Sequence, residues 1–195
     1  MTTVALFPSV LGIRRGVLDA AELLEAEGHT VLVVDLLHGR VFDDYPTAMA
    51  HAWEEVGQAE LLRRSTAAVA HLPDGFVVAG FSMGCIAAVH IATQRRVSGV
   101  VMIAGAIPVS ALGNDAVWPT GLRAQTHSML ADPWREEDEL LAAIRDIEAG
   151  GGTIEVFDYT GAGHLFTDPT LPDEYDAAAT AAMWEDVLAF IATAS

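Results

Sequence analysis

The feature that most constrains this chain is the segment Gly80-Phe81-Ser82-Met83-Gly84, which stands between a strand-like and a helix-like run. Residues 76–79 (F-V-V-A) predict a short buried strand, and residues 86–92 (I-A-A-V-H-I-A) predict a helix. A G-x-S-x-G at a strand-to-helix turn is typical of a nucleophile elbow, which exposes a serine hydroxyl above the strand. Side chains at the two glycine positions would collide with the neighbouring strand and helix. The pattern therefore favours Ser82 as a nucleophile over an ordinary strand-to-helix turn.

Strand-like and helix-like segments alternate along the chain. Further strands are predicted at 4–7, 29–35, 97–104, 122–127 and 153–159. Helices are predicted at 14–26, from a loop at Tyr45-Pro46 to about 71, at 136–149 and from about 173 onward. The almost continuously apolar centre of 29–35 is typical of a strand covered on both faces of a parallel sheet. The alternation predicts one α/β domain over residues 1–195, with a mostly parallel open sheet of about six strands flanked by helices on both faces.

The charge balance excludes several classes of function. The chain has 27 acidic residues and 10 basic ones, all of them arginine, and its formal net charge is −17. Nucleic acids and anionic membranes both require a basic protein surface, so neither is expected as a partner. Without lysine, Schiff-base catalysis and a Walker-type phosphate loop are excluded as well.

Cysteine content and the first residues bear on location. Cys85 is the single cysteine, so no intramolecular disulfide can form and an oxidising compartment is not indicated. The N-terminus lacks the basic and apolar regions of a secretion signal, and no apolar run is long enough to span a membrane. We therefore expect a cytoplasmic protein. Its oligomeric state is open, and a monomer is compatible with the sequence.

Two later loops supply candidate partners for the serine. A serine hydroxyl needs an imidazole to accept its proton and a carboxylate to orient that imidazole, and in proteins with this elbow the acid precedes the histidine along the chain. His164 lies among the small residues of G-A-G-H-L-F after the sixth strand, where the glycines permit an unusual backbone path. His127, at the end of the fifth strand, is the alternative.

The best candidate for the acid is Asp132, in the loop after the fifth strand. Its sequence context, D-P-W-R-E-E, is also compatible with a simple N-terminal cap of the next helix. The other acidic candidates are placed less well, since Asp158 lies within a strand and Asp115 and Asp168 lie in other loops.

Two backbone amides are expected to stabilise the oxyanion that forms during acyl transfer. One belongs to Met83, at the start of the helix after the elbow, and the other to Val10, in the loop after the first strand. Cys85 is expected to be a small buried residue and not a nucleophile. No metal-binding motif or dinucleotide loop is present, so neither a metal nor another cofactor is expected.

A third set of residues is proposed to contact the substrate, with packing along the rim of the site as the alternative. They are apolar or aromatic and lie in loops predicted near the carboxyl ends of the strands: Leu11, Ile13, Phe42, Tyr45, Trp118 and Leu165. Trp118 belongs to residues 105–121, which are expected to form an irregular loop over the top of the sheet.

In their order and composition, five segments resemble the dienelactone hydrolase family, a compact branch of the α/β-hydrolase fold. They are P-S-V-L-G-I, V-V-D-L-L-H-G-R, G-F-S-M-G, A-D-P and G-A-G-H-L-F-T-D, and they span nearly the whole chain. The family hydrolyses cyclic enol-lactones, and many of its relatives are general esterases. The resemblance implies that Ser82 is the nucleophile, Asp132 the acid and His164 the base.

Two departures from the family pattern bear on the substrate. The namesake members have a cysteine at the position of Ser82 and an activating glutamate at the position of Ser9. Since that glutamate serves the resting state of a thiol, its absence fits a serine hydrolase and argues against dienelactone as the substrate. We expect hydrolysis of small carboxylic esters or lactones through an acyl-serine. The alternatives are a thioesterase or perhydrolase with the same triad, and a non-catalytic relative that binds a small ligand.

Overall fold

The computed structural model describes residues 1–113 and 115–194. The strands of this described part are β1 (Thr3–Phe7), β2 (Thr30–Val33), β3 (Phe76–Phe81), β4 (Val97–Ile103), β5 (Arg123–Met129) and β6 (Thr153–Tyr159). Its helices are α1 (Arg15–Ala26), α2 (Tyr45–Met49), α3 (Gln58–Val69), α4 (Met83–Gln94), α5 (Glu137–Ala149) and α6 (Ala177–Thr193). The strands form one parallel sheet in the order β2-β1-β3-β4-β5-β6, which confirms the predicted α/β class.

The strand order places the helices. Strand β2 is added on one side of β1, and β3 to β6 are added in succession on the other side. Because crossovers between parallel strands are right-handed, α1 lies on one face of the sheet and α3, α4 and α5 lie on the other. The last helix, α6, returns to pack on β4, where Phe190 contacts Gly99. All six residues of β3 are buried, so the core is centred on this strand. No helix in residues 1–113 and 115–194 is long and apolar enough to cross a membrane.

The second strand is covered on both faces, as predicted, but only in part. β2 is an edge strand that pairs with β1 alone, and the side chains of Val31, Leu32 and Val33 are half-buried. An edge strand is covered less completely than a central one; α1 packs against β2 on one face, and Val31, Leu32 and Val33 all lie against the hydrophobic core. Continuous hydrophobicity therefore did not distinguish this edge strand from a central strand.

The single long helix predicted to end near residue 71 is instead three segments. Asp44 caps α2 through a hydrogen bond from the Thr47 amide at 2.8 Å, so Tyr45-Pro46 begin a helix and do not form a loop. A π-helical segment, Ala50–Val56, continues α2, and Gly57 separates it from α3. The change of helical type determines which side chains of this region reach the site.

Two further boundaries differ from expectation. Helix α6 begins at Ala177 and not near 173, because the Asp176 side chain accepts hydrogen bonds from the amides of Ala178 and Ala179, both at 2.9 Å.

The prediction that residues 105–121 form a loop over the top of the sheet was wrong. Since β4 and β5 are parallel, their connection must return to the amino end, and it does so through a short 3₁₀ turn at Val109–Leu112.

Candidate active site

Ser82 sits on the sharp turn between β3 and α4 in a strained backbone conformation. Its φ of 51° and ψ of −114° lie where non-glycine residues are rarely found. The turn is held by hydrogen bonds from the Ser82 amide to the Ile103 carbonyl at 2.7 Å and from the Cys85 amide to the Ser82 carbonyl at 2.8 Å. The hydroxyl consequently projects above the carboxyl end of the sheet.

The two glycines of the elbow are required by close backbone packing. A Cβ at Gly84 would overlap the carbonyl oxygen of Phe7 in β1, and a Cβ at Gly80 would overlap the backbone of Gly84 itself. Only glycine allows α4 to start this close to β1 and β3. The steric reason inferred from the sequence therefore holds for both positions.

Ser82, His164 and Asp132 form a hydrogen-bonded series. His164 Nε2 lies 2.7 Å from Ser82 Oγ, and His164 Nδ1 lies 2.7 Å from Asp132 Oδ2. The histidine and aspartate side chains are only 7% and 2% exposed. With the proton on Nδ1 donated to the carboxylate, Nε2 presents its lone pair to the serine hydroxyl, which is the arrangement that general-base activation requires.

Asp132 does not cap α5. That helix begins at Glu137, five residues later, with Glu136 at the N-cap position. Instead, Asp132 Oδ1 accepts a hydrogen bond from the Trp134 amide at 2.8 Å, which fixes the turn that follows β5. One carboxylate oxygen thus holds the turn, and the other meets His164.

The other acidic residues considered as partners of His164 do not contact it in the described part of the chain. Asp168 pairs with Arg14 at 3.0 Å, and Asp158 pairs with Arg135 at 2.6 Å. Asp115 is exposed in the β4–β5 connection. Among the acidic candidates named from the sequence, Asp132 alone contacts His164 in the described part of the chain.

His127 lies on the opposite face of β5 from the site. Its neighbours Thr126 and Ser128 line the cavity, whereas His127 is fully buried, stacks on Phe157 and shares a 2.9 Å hydrogen bond with the Tyr159 hydroxyl. Burial lowers the pKa of its imidazole to about 3. The structure therefore keeps this histidine neutral and away from Ser82.

Val10 and Met83 both line the cavity beside Ser82. Met83 is the first residue of α4, so its amide has no acceptor within the helix. In residues 1–113 and 115–194, the Val10 amide has no protein acceptor either. Ser9 fixes this loop, because its Oγ accepts from the Leu11 amide at 3.2 Å and its carbonyl accepts from the Gly12 amide at 3.0 Å.

The loop that carries His164 is anchored by Glu174. The Glu174 carboxylate accepts hydrogen bonds from the Leu165 amide at 2.6 Å and from the Tyr45 hydroxyl at 2.9 Å. Gly163 makes the anchoring possible, since a Cβ there would overlap the carbonyl oxygen of Glu174. The Tyr45 ring also packs edge-on against the His164 imidazole, with 5.9 Å between ring centroids. Sequence analysis anticipated neither hydrogen bond of Glu174.

A cavity of about 210 Å³ opens beside Ser82. Tyr45, Met49 and Trp53 contribute to it at intervals of four residues along α2 and the π-helical segment. In a regular α-helix, side chains four residues apart differ in direction by about 40° around the helix axis, and the wider π turn reduces this difference. Trp134 adds a further aromatic side, 6.0 Å from the His164 ring. Sequence analysis named only Tyr45 of these residues and did not anticipate Met49, Trp53 or Trp134.

The remaining residues proposed for substrate contact do not line the cavity. Leu11 and Leu165 are buried in the core, and Ile13 and Phe42 are half-buried against it. Trp118 is 1% exposed and donates from Nε1 to the Leu122 carbonyl at 3.0 Å. That contact places Trp118 at the amino end of β5, because the connection between β4 and β5 returns there. Ser82 lies at the opposite end of the strands.

Other reactive groups lie outside the site. Cys85 is fully buried, its thiol donates to the Gly80 carbonyl at 3.2 Å, and burial raises its pKa to about 12. Across residues 1–113 and 115–194, no group of three or more His, Cys, Asp or Glu side chains could hold a metal ion.

Comparison with solved structures finds the same fold in several proteins. A dienelactone hydrolase-like promiscuous phosphotriesterase from metagenomic libraries has a TM-score of 0.83 at 19% identity, covering 98% of this chain and 86% of that chain. Alpha/beta hydrolase domain-containing protein 10 from mouse has a TM-score of 0.70 at 13% identity, with coverages of 99% and 90%. The Bacillus cereus carboxylesterase has a TM-score of 0.57 at 16% identity, with coverages of 95% and 87%. A search of curated protein sequences gave no match.

The parallel sheet, the strained serine turn and these likenesses define the α/β-hydrolase fold. Within that class, the sequence profile of the dienelactone hydrolase family matches residues 1–195. The chain belongs to the dienelactone hydrolase family, which confirms the resemblance inferred from its motifs.

Proposed function

We propose that this protein is a serine hydrolase that cleaves small carboxylic esters or lactones through an acyl-serine intermediate. The observation that carries the proposal is the series from Ser82 Oγ through His164 to Asp132, in which both hydrogen bonds are 2.7 Å long. Membership of a hydrolase family supports it. The cavity of about 210 Å³ favours a small substrate, since pockets for drug-sized ligands begin at about 300 Å³.

In the acylation step, Ser82 Oγ attacks the ester carbonyl carbon while its proton passes to His164 Nε2. Asp132 stabilises the imidazolium that forms, and the amides of Val10 and Met83 donate hydrogen bonds to the oxyanion. When the tetrahedral intermediate collapses, the carbon–oxygen bond to the alcohol breaks and the alcohol oxygen takes the proton from Nε2. For a lactone, the released hydroxyl stays attached to the acyl group.

Deacylation repeats the same steps with water as the nucleophile. The imidazole removes a proton from water as the water oxygen adds to the acyl carbon. Collapse of the tetrahedral intermediate breaks the bond between that carbon and Ser82 Oγ, Oγ takes the proton from Nε2, and the carboxylic acid is released. A thioester would be cleaved in the same way with a thiol as leaving group. In a perhydrolase, hydrogen peroxide replaces the water of this step.

The proposal is tested by labelling with a fluorophosphonate, followed by assays with short-chain nitrophenyl esters, lactones and acyl thioesters. An activated serine reacts quickly with the label, and Ser82→Ala should abolish both labelling and hydrolysis, lowering turnover by on the order of 10⁴ or more. An unchanged circular dichroism spectrum would verify that the variant is folded. Absence of labelling in the folded wild-type protein would favour the non-catalytic alternative, and more than about a tenth of the activity remaining in Ser82→Ala would exclude Ser82 as nucleophile.

A further inference from the structure

We infer that the cavity beside Ser82 accepts substrate groups that are neutral or cationic and excludes those that carry a carboxylate. The inference rests on the proposed function, because it specifies the substrate class of the same site. It is argued from the charged side chains that line the cavity and from the partners of those side chains.

Carboxylates outnumber cationic groups around this cavity. Among the lining residues that the structure describes, the carboxylates are Asp132, Glu136, Glu139 and Asp158, and the single guanidinium is that of Arg135. Asp132 is paired with His164 and Asp158 with Arg135, which leaves Glu136 and Glu139 as the unneutralised carboxylates among these described lining residues. A second negative charge placed there is repelled, and because Glu136 and Glu139 are exposed to solvent, the repulsion is strongest at low ionic strength, where salt screens it least.

Arg135 is not available to bind an anionic substrate. Its Nη1 lies 2.6 Å from Asp158 Oδ1, its Nη2 lies 3.4 Å from Asp158 Oδ2, and Nη2 also lies 3.5 Å from Glu137 Oε2. The Arg135 side chain is only 14% exposed. A substrate carboxylate would have to replace Asp158 in this two-point contact, and the displaced Asp158 would remain nearby as an unpaired charge.

The N-terminus of α5 does not provide an alternative anion site. The partial positive charge of a helix N-terminus is about half an elementary charge. The first turn of α5 already carries Glu137, Asp138 and Glu139, and no side chain caps it. These carboxylates exceed the helix charge, so this end of the cavity remains unfavourable for an anion.

The rest of the lining suits hydrocarbon. Trp53, Ile86, Trp134, Leu140 and Val156 present apolar or aromatic surface to the cavity. An uncharged acyl chain would gain contact with these groups without losing hydration of a charge. Aromatic faces also attract cations, so a positively charged group is compatible with the same surroundings.

The test compares three 4-nitrophenyl esters of similar length. Their acyl groups derive from pentanoic acid, from glutaric acid with its second carboxyl free, and from 4-(trimethylammonio)butanoic acid. At low ionic strength and pH 7.5, we expect kcat/KM for the glutarate ester to be at least about tenfold below that of the pentanoate ester. The cationic ester should retain at least about a third of the pentanoate value. Rates with Ser82→Ala provide the correction for spontaneous hydrolysis.

Substitutions then assign the discrimination to the cavity. Asp158→Asn removes one carboxylate and leaves Arg135 without its main partner, so the glutarate-to-pentanoate ratio should rise by at least about fivefold. Glu139→Gln should raise the ratio in the same direction and provides a second variant if Asp158→Asn does not fold. Asp138→Asn is the matched control. It makes the same change of net charge in the first turn of α5, but the exposed Asp138 does not line the cavity, so the ratio should stay within about twofold.

Each outcome has a distinct meaning. Equal hydrolysis of the pentanoate and glutarate esters would overturn the charge inference and leave the proposed function intact. Slow hydrolysis of both charged esters would also overturn it, because the cavity would then reject charge of either sign. If the folded wild-type protein hydrolyses none of the esters, the proposed function itself fails. A change of the ratio in Asp138→Asn as large as in Asp158→Asn would show that net charge, and not the cavity lining, controls the preference.

Discussion

Asp132→Asn separates an orienting carboxylate from a merely structural one. In the protein, Asp132 Oδ1 accepts from the Trp134 amide at 2.8 Å and Oδ2 meets His164 Nδ1 at 2.7 Å. An asparagine that keeps its oxygen on the Trp134 amide must place its NH₂ group against Nδ1. Two donors cannot share that contact, so Nδ1 becomes the acceptor and the imidazole proton moves to Nε2.

The size of the effect follows from this change of tautomer. A protonated Nε2 faces Ser82 Oγ and cannot accept the hydroxyl proton, so the serine loses its general base. The same exchange in a serine protease lowers turnover by about 10⁴. Since each factor of ten is about 1.4 kcal/mol, the barrier should rise by about 5.5 kcal/mol. The turn after β5 keeps its hydrogen bond, so the unfolding temperature should change little.

The assay compares kcat for a nitrophenyl ester in Asp132→Asn, Asp158→Asn and Asp168→Asn, each normalised to the folded fraction at neutral pH. The last two carboxylates pair with Arg135 and Arg14 and do not contact His164, so their variants should lose far less turnover. If Asp132→Asn is the mildest of the three, the assignment of the acid is wrong. A large loss that is accompanied by unfolding would likewise contradict the reasoning, because the geometry predicts a folded but inactive protein.

Three further changes have definite expected outcomes. Cys85→Ala should retain most activity, and iodoacetamide should inactivate the wild type slowly if at all, because burial raises the thiol pKa to about 12; rapid stoichiometric inactivation would contradict this. Glu174→Gln should lower kcat by about tenfold with KM nearly unchanged, since the hydrogen bonds from the Leu165 amide and the Tyr45 hydroxyl to this carboxylate contribute about 2 kcal/mol each. Tyr45→Phe keeps the hydrogen bond from the Leu165 amide, so its kcat should decrease less. The imidazole of His127 has a pKa of about 3 in the folded protein and an ordinary pKa near 6.5 in the unfolded chain. Between these two values the unfolded chain binds more protons, so the unfolding free energy decreases as the pH is lowered. The loss of unfolding free energy between pH 7.5 and pH 5 should therefore be about 2 kcal/mol greater in the wild type than in His127→Gln, as measured by urea titration, and equal losses would contradict burial of a neutral imidazole.

The elements that position the triad could be predicted because their signals are local. The two glycines around Ser82, the aspartate directly after β5 and the histidine in a glycine-rich loop after β6 each follow a strand. Carboxyl ends of parallel strands share one edge of the sheet, so strand order along the chain was enough to bring the three side chains together.

Cavity residues could not be predicted in the same way, because their placement depends on distant packing. Trp53 lies within the π-helical segment, and the sequence does not indicate that the helix widens there. Trp118 and Leu11 are apolar residues of loops, as expected of substrate contacts, but the sequence does not indicate in which direction such side chains point. Glu174 reaches the His164 loop because Gly163 permits close approach, a contact between segments eleven residues apart that no periodic pattern encodes.

The π-helical segment gives this protein a route to altered specificity through a change of length. Deleting one residue between Met49 and Trp53 would let the segment relax toward a regular α-helix, in which each residue advances by about 100° around the axis. The tryptophan would then turn away from the cavity relative to Met49, and a different side chain would take its place. Insertions and deletions at Ala50–Val56 would thus remodel one side of the cavity while the residues around Ser82 stayed unchanged.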